Sequence, residues 1–232
     1  MALDFESQIM TLYEPAETPQ SGTFVPFTLE KHTPHIAARI KAGTDEAVER
    51  KLLVDSGSAD AVDDDSFANA PKRLEIVSGV GLGQEFRSTV GRAAWVEIGP
   101  FRLDGPQGAT GGTALIGLEV LRRFDVVFDD ARLGLHLTPN RDIAEPFAMD
   151  ASGLDLRWSA DMKRLAVHDV AKDTPASAAG LKSGDEIAAI DGQRADAFRI
   201  GQVQHLLTKD GRTVTLTLAD GRKVALHLVK RL

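Results

Sequence analysis

Apolar and polar positions alternate with a period of two along much of the chain, which predicts a protein built mainly of strands. Residues 24–29 and 35–40 read as the first strands, and residues 41–49 as a polar hairpin tip. A third strand, 50–54, runs into three apolar residues, Leu52, Leu53 and Val54, so its end is predicted to be buried. Residues 76–98 read as two strands around a glycine-rich tip, and 105–112 as a glycine-rich loop. Residues 114–117 predict a buried strand meeting a sharp turn, followed by a short helix over 118–123 and a strand pair over 124–137. Further strands are predicted over 154–158, 165–170 and 186–190. Residues 214–218 and 223–229 form a hairpin across Asp220-Gly221. Helical spacing appears over 176–181 and over 200–207, where it is amphipathic.

Two stretches break this pattern. Residues 1–22, with Pro15, Pro19, Ser21 and Gly22, have little periodicity and read as a poorly ordered N-terminal arm. Around Pro139 and Pro146 the chain reads as a linker. The expected organisation is an arm over 1–22, a first domain over 23–140, a linker over 141–150 and a second domain over 151–232.

Charge sharpens that division. The net charge is −7, but residues 1–140 carry −8 and residues 141–232 carry +1. Neither part has a basic excess, which disfavours nucleic acid as a partner. Cysteine is absent, which excludes disulfides, a thiol nucleophile and a Cys-ligated metal. Apolar runs are only a few residues long, so no membrane-spanning helix is expected. The opening MALDFESQIM is acidic and lacks the apolar core of a secretory leader. The compartment is periplasmic or extracellular if a leader was trimmed, and cytoplasmic otherwise.

Neither a metal nor a cofactor is expected. Asp60, Asp63, Asp64 and Asp65 lack the glycine and spaced glutamate of a calcium loop and read as a solvated segment. His32 and His35 are only two ligands. Gly79, Gly81 and Gly83 do not sit in a βαβ unit, so they are no dinucleotide fingerprint. Trp95 reads as core, and Asp129 and Asp130 as hairpin-shaping residues.

Asp55 carries the candidate chemistry of the first domain. It follows the apolar run 52–54 on a turn that Gly57 permits. By itself, Asp55-Ser56-Gly57 reads as a capped turn. In context it resembles the Asp-(Thr/Ser)-Gly motif of retropepsin-like aspartic proteases. The glycine-rich tip Gly79-Val80-Gly81-Leu82-Gly83 stands where that family has its flap. Ile116-Gly117, at the end of the apolar run from Ala114, resembles the family's second hydrophobic-Gly element.

The resemblance implies a closed, barrel-like β fold and a catalytic Asp55 supported by Ser56 and Gly57. Two carboxyl groups at close range share one proton and together activate a water. With one such motif per chain, the resemblance implies a homodimer with the dyad on its axis. Ala59 and Leu118 replace an Asp and an Arg that retroviral members commonly carry, so the dimer contacts must differ from theirs.

The second domain resembles a bacterial PDZ domain, a small β-barrel with two helices. The resemblance rests on Ser152-Gly153-Leu154-Asp155-Leu156, on Asp173-Thr174-Pro175-Ala176, on Ala179-Gly180-Leu181-Lys182-Ser183-Gly184-Asp185-Glu186-Ile187 and on Ile190-Asp191-Gly192. It implies that Gly153, Leu154, Asp155 and Leu156 present N–H groups to a peptide C-terminus. The peptide adds as a strand, with Ile200, Gln204 and Leu207 facing it from the helix. Ile200 and Leu207 can equally belong to the core. Leu154-Asp155 replaces the Leu-Gly pair of many PDZ loops.

The reading is therefore an aspartic endopeptidase acting on a protein or peptide, with a PDZ module for substrate or regulatory peptides. The alternative is a non-catalytic PDZ scaffold whose protease-like domain only dimerises. A serine protease is disfavoured, because the chain has no Gly-x-Ser-x-Gly.

Overall fold

The computed structural model describes residues 1–43, 46–81 and 84–231, and for 76–81 and 84–87 the backbone alone. The chain divides into two compact units, Met1–Phe147 and Ala148–Leu232.

In the first unit the described strands are β1 (Ala2–Asp4), β2 (Ile9–Thr11), β3 (Thr23–Glu30), β4 (Thr33–Lys41), β5 (Val48–Val54), β6 (Val62–Asp63) and β7 (Arg73–Gly81). They continue with β8 (Gln84–Arg92), β9 (Trp95–Ile98), β10 (Phe101–Asp104), β11 (Gln107–Ala109), β12 (Leu115–Ile116), β13 (Phe124–Asp129) and β14 (Gly134–Pro139). One short helix, α1 (Leu118–Leu121), precedes β13.

Alternation explains the strands. In β4, Ile36, Ala38 and Ile40 are buried while Ala37 and Arg39 are exposed, so one face points to the core. The core gathers Ile36, Ile40, Leu52, Phe67, Phe124 and Leu135. Phe101 meets Phe124 edge-on, with ring centroids 5.0 Å apart.

The strands run in the order β2-β1-β13-β14-β3-β4-β5-β12-β6-β11-β8-β7, with β9 and β10 branching from β4. Among the described residues this path ends at β2 and β7 and does not close, which corrects the expected barrel. The sheet also branches at β4. One side pairs with β5, while the other pairs with β3 over residues 33–36 and with β9 over 38–41, so the sheet forks there.

Both breaks in the pattern are folded. Ala2 and Leu3 pair with Val127 and Val126, and the Met1 amino group donates to the Phe128 carbonyl at 3.1 Å, so the lead-in is not a disordered arm. Residues 141–144 form a 3-10 turn, and Phe147 is buried beneath the Arg123 guanidinium, 3.8 Å above its ring. The expected linker therefore lies largely inside the first unit.

The second unit holds β15 (Leu154–Trp158), β16 (Leu165–Val170), β17 (Glu186–Ile190), β18 (Gln193–Arg194), β19 (Thr213–Leu218) and β20 (Lys223–His227), with helices α2 (Pro175–Ala178) and α3 (Ile200–Leu207). The sheet is antiparallel, in the order β15-β16-β17-β19-β20, with β18 on β17. Thr174 caps α2 by accepting the Ser177 N–H, and Pro175 occupies the first helical turn. In α3, Val203 and Leu207 point into the core while Gln202 and Gln204 are exposed. The whole chain is mainly β, with few helices.

Candidate functional site

The first candidate is the turn after β5. β12 lies between β5 and β6, parallel to the former and antiparallel to the latter, so Val54, Ile116 and Val62 form one buried row. Backbone bonds then stitch two distant segments together. Asp55 N–H donates to the Ile116 carbonyl at 2.9 Å, Gly117 N–H to Ala61 at 3.0 Å and Leu118 N–H to Ser58 at 2.8 Å. A Cβ on Gly117 would stand 2.3 Å from the Asp60 carbonyl oxygen, so only glycine fits this passage.

The structure thus brings Asp55, Ser56 and Gly57 beside Ile116 and Gly117. Asp55 is half-buried, and its Oδ1 accepts the Gly57 N–H at 2.8 Å. Ser56 and Gly57 are exposed. Among the described residues no second carboxylate is hydrogen-bonded to Asp55. The glycine-rich tip closes the β7–β8 hairpin, with Gly79, Val80 and Gly81 opposite Phe86, Glu85 and Gln84. Leu82 and Gly83 lie outside the described residues.

The neighbouring acidic segment is not a solvated loop. Asp64 is buried, takes the Arg50 Nε at 3.0 Å and caps the turn at Ser66. Asp63 accepts the Ala109 N–H at 3.1 Å, and Asp65 the Gly111 N–H at 3.1 Å. Burial, helped by the charge of Asp60, pushes the Asp63 carboxyl up to about 6, against the opposing pull of the Ala109 bond.

The second candidate is the loop that leads into β15. Ser152 N–H donates to Asp150 Oδ2 at 3.1 Å, and the Ser152 hydroxyl to Oδ1 at 2.6 Å. Gly153 N–H also donates to Oδ2, and Leu154 N–H to the Ser152 hydroxyl oxygen at 3.1 Å. Gly153 has φ +82°, and a Cβ there would fall 2.3 Å from the Thr174 side chain. Burial holds the Asp150 carboxyl above its usual range, against the hydrogen bonds from Ser152 and Gly153.

β15 is the terminal strand of its sheet, so one backbone edge lacks a neighbour among the described strands. Leu154, Leu156, Trp158 and Ile200 are half-buried and pack at the margin of the same core. The Leu207 carbonyl accepts the Ala151 N–H at 2.9 Å, which puts the C-terminal end of α3 at the loop. Gln204 is exposed, and Leu207 is core, 3% exposed. Asp150 was not among the residues expected from the sequence. Its signal was there: an aspartate two residues before Ser152 and three before Gly153 is placed to accept their N–H groups.

Residues 131–228 match the family model of the PDZ domain. The chain carries a PDZ domain. The match begins in the β13–β14 turn of the first unit, ahead of the compact second unit.

No curated protein sequence matches the chain. Among solved structures, a variant of the HtrA-type protease AlgW with a decapeptide is 12% identical with a TM-score of 0.37, covering 97% of this chain and 64% of that one. This chain thus spans less than two thirds of that protein. AlgW with a tripeptide is 14% identical with a TM-score of 0.32, covering 96% and 68%. A serine endoprotease from Yersinia pestis is 14% identical with a TM-score of 0.33, covering 85% and 75%.

These findings correct the expected enzyme. The proteases that stand beside the chain are of the serine type, and the retropepsin-like aspartic endopeptidase is withdrawn. Among the described residues of one chain, the Asp55 side chain accepts the Gly57 N–H and faces no second carboxylate, so a single chain by itself holds no shared-proton dyad. The homodimer inferred from the dyad loses its ground as well. Similarity at these TM-scores carries no serine chemistry to this chain either. The buried ring of His136 faces Asp129 at 3.3 Å.

Proposed function

We propose that the chain is a peptide-binding protein whose PDZ domain captures an extended polypeptide as a strand added along β15. The observation that carries this reading is the free edge of β15 within a domain that matches the PDZ family. Backbone hydrogen bonds give affinity with little demand on sequence, and side chains at alternate positions give selectivity. Leu156 and Ile200 are half-buried apolar residues packed at the margin of the same core, which favours an apolar ligand side chain over a hydroxyl.

The test uses the full chain and a random heptapeptide library displayed on phage, with amide chemical shifts recorded as a selected peptide is added. The largest shifts are expected in residues 154–158. Ile200→Asp should weaken binding at least tenfold with the circular dichroism spectrum unchanged, because it puts a charge against an apolar side chain. Shifts confined to other strands, or full affinity in the variant, would overturn the reading.

A further inference from the structure

We infer that the groove along β15 takes an internal stretch of polypeptide and not a free C-terminus, because the chain's own Asp150 and Ser152 side chains already hold the Gly153 and Leu154 N–H groups at the loop end. This inference rests on the peptide-binding reading above and names the class of ligand.

A terminal carboxylate is captured by converging backbone N–H groups that have no acceptor of their own. Here three consecutive amides are engaged, and two of them, Gly153 and Leu154, belong to the Gly153–Leu156 set that would face a carboxylate. Those of Ser152 and Gly153 donate to Asp150, and that of Leu154 donates to the Ser152 hydroxyl oxygen. The Ser152 hydroxyl donates back to Asp150 at 2.6 Å, so the carboxylate and the hydroxyl form one closed set.

The loop is also pinned in this arrangement. Ala151 N–H donates to the Leu207 carbonyl at 2.9 Å, and Val229 N–H to the Ala151 carbonyl at 3.0 Å. Ala176 N–H donates to the Ser152 carbonyl at 3.0 Å, and Ala171 N–H to that of Gly153 at 2.9 Å. Gly153 leaves no space against Thr174 for the loop to shift inward. Displacing Asp150 would therefore mean breaking a set of bonds that the packing holds in register.

A second charge reinforces the first. Asp155, the second residue of β15, has a carboxylate 38% exposed, and Arg157 approaches it at 3.6 Å with a guanidinium 53% exposed. An arriving carboxylate would meet the negative charge of Asp150 and Asp155, offset only in part by Arg231 and Arg157, and be disfavoured. A peptide that continues past the loop brings a neutral amide instead, and can lay a Lys or Arg against Asp155. The expected ligand is an internal extended segment with an apolar residue toward Ile200 and a neutral or basic residue at the loop end.

The test displays the heptapeptide library in two forms, one ending in a free carboxylate and one with Gly-Ser spacers on both sides. The selected peptide is then measured by fluorescence anisotropy as free acid, as C-terminal amide and with a four-residue extension. Equal or tighter binding of the amide and extended forms is expected. Asp155→Gly and Asp150→Asn, each checked for an unchanged circular dichroism spectrum, should shift the preference toward the free acid by at least threefold. A tenfold preference of the unaltered protein for the free acid would overturn this inference and leave the peptide-binding reading standing. Selection of no peptide in either form would overturn that reading and this inference with it.

Discussion

Two turns in this molecule are made of the same residue types and use them in opposite ways. Asp55-Ser56-Gly57 follows β5, and Asp150-Ala151-Ser152-Gly153 precedes β15. In the first, the aspartate takes one N–H, from Gly57, and the turn is held by backbone bonds to residues 116–119. In the second, the carboxylate takes two N–H groups and a hydroxyl, in addition to the backbone bonds that tie residues 151–153 to Leu207, Val229, Ala176 and Ala171. The first turn is expected to keep its shape without its carboxylate, and the second to loosen. A short motif thus states which groups are available, while the surrounding pairings decide what they do.

The largest expected effects come from the glycines that each turn requires. Gly117→Ala drives a methyl into the Asp60 carbonyl, and Gly153→Ala drives one into Thr174 at a positive φ. Backbone and buried neighbours cannot yield cheaply, so each should cost about 3–5 kcal/mol. Calorimetry is expected to show Gly117→Ala lowering the transition of the first unit alone, and Gly153→Ala that of the second alone. A common shift of both transitions would contradict the division at Phe147 and Ala148.

Next in size is Asp150→Ala. It strips the acceptor from the Ser152 and Gly153 amides and from the Ser152 hydroxyl, at about 2–3 kcal/mol in urea denaturation. The raised carboxyl of Asp150 keeps the loss below the sum of its bonds, since burying the charge already has a cost. A loss under about 0.5 kcal/mol would mean that the loop is held by its backbone bonds, as the Asp55 turn is.

Legibility in the sequence follows the range of the interactions involved. β15, β16, β17 and α3 begin and end where local alternation and helical spacing place them. Their flanking turns are set by nearby residues such as Thr174, Gly180 and Asp191. Pairing of Ala2–Asp4 with β13 joins residues more than a hundred positions apart, and nothing local in the first 22 residues announces it. Asp64 read as solvated because its partner Arg50 lies on another strand. The passage of Ile116-Gly117 beside Asp55 was visible as spacing, yet spacing does not reveal whether a second carboxylate faces Asp55. Asp150 was legible as a turn residue from its spacing to Ser152 and Gly153, but that it accepts both N–H groups and a hydroxyl at once is visible only in the folded loop.

A smaller effect separates Asp63 from its neighbours by pH. Its folded carboxyl titrates at about 6, above the unfolded value, so the native state holds the proton more tightly. Its contribution is therefore most favourable below about pH 4, is lost as pH rises to about 6, and stays constant above. Asp63→Asn keeps an oxygen for the Ala109 N–H and removes the buried charge. The variant should be more stable than the parent by about 1–2 kcal/mol at pH 7.5, a figure reduced for partial exposure, and equal to it at pH 4. A gain that persists at pH 4 would show that charge burial is not its source.

The smallest effect belongs to Asp55, and it bears most directly on the comparison. Its carboxylate is half-buried, accepts a single N–H from an exposed glycine, and has no carboxylate hydrogen-bonded to it among the described residues. Losing one hydrogen bond at a site that water can reach costs little, because water replaces the acceptor. The turn remains tied through the Asp55 amide to Ile116 and through Ser58 to Leu118, and neither bond involves the side chain. Asp55→Ala should therefore shift the first unit's stability by less than about 1 kcal/mol, against the larger loss for Asp150→Ala in the second. Peptide affinity at the β15 groove should be unchanged within twofold. A destabilisation as large as that of Asp150→Ala would show the first carboxylate organising its turn as the second does, and the contrast between the two turns would fail.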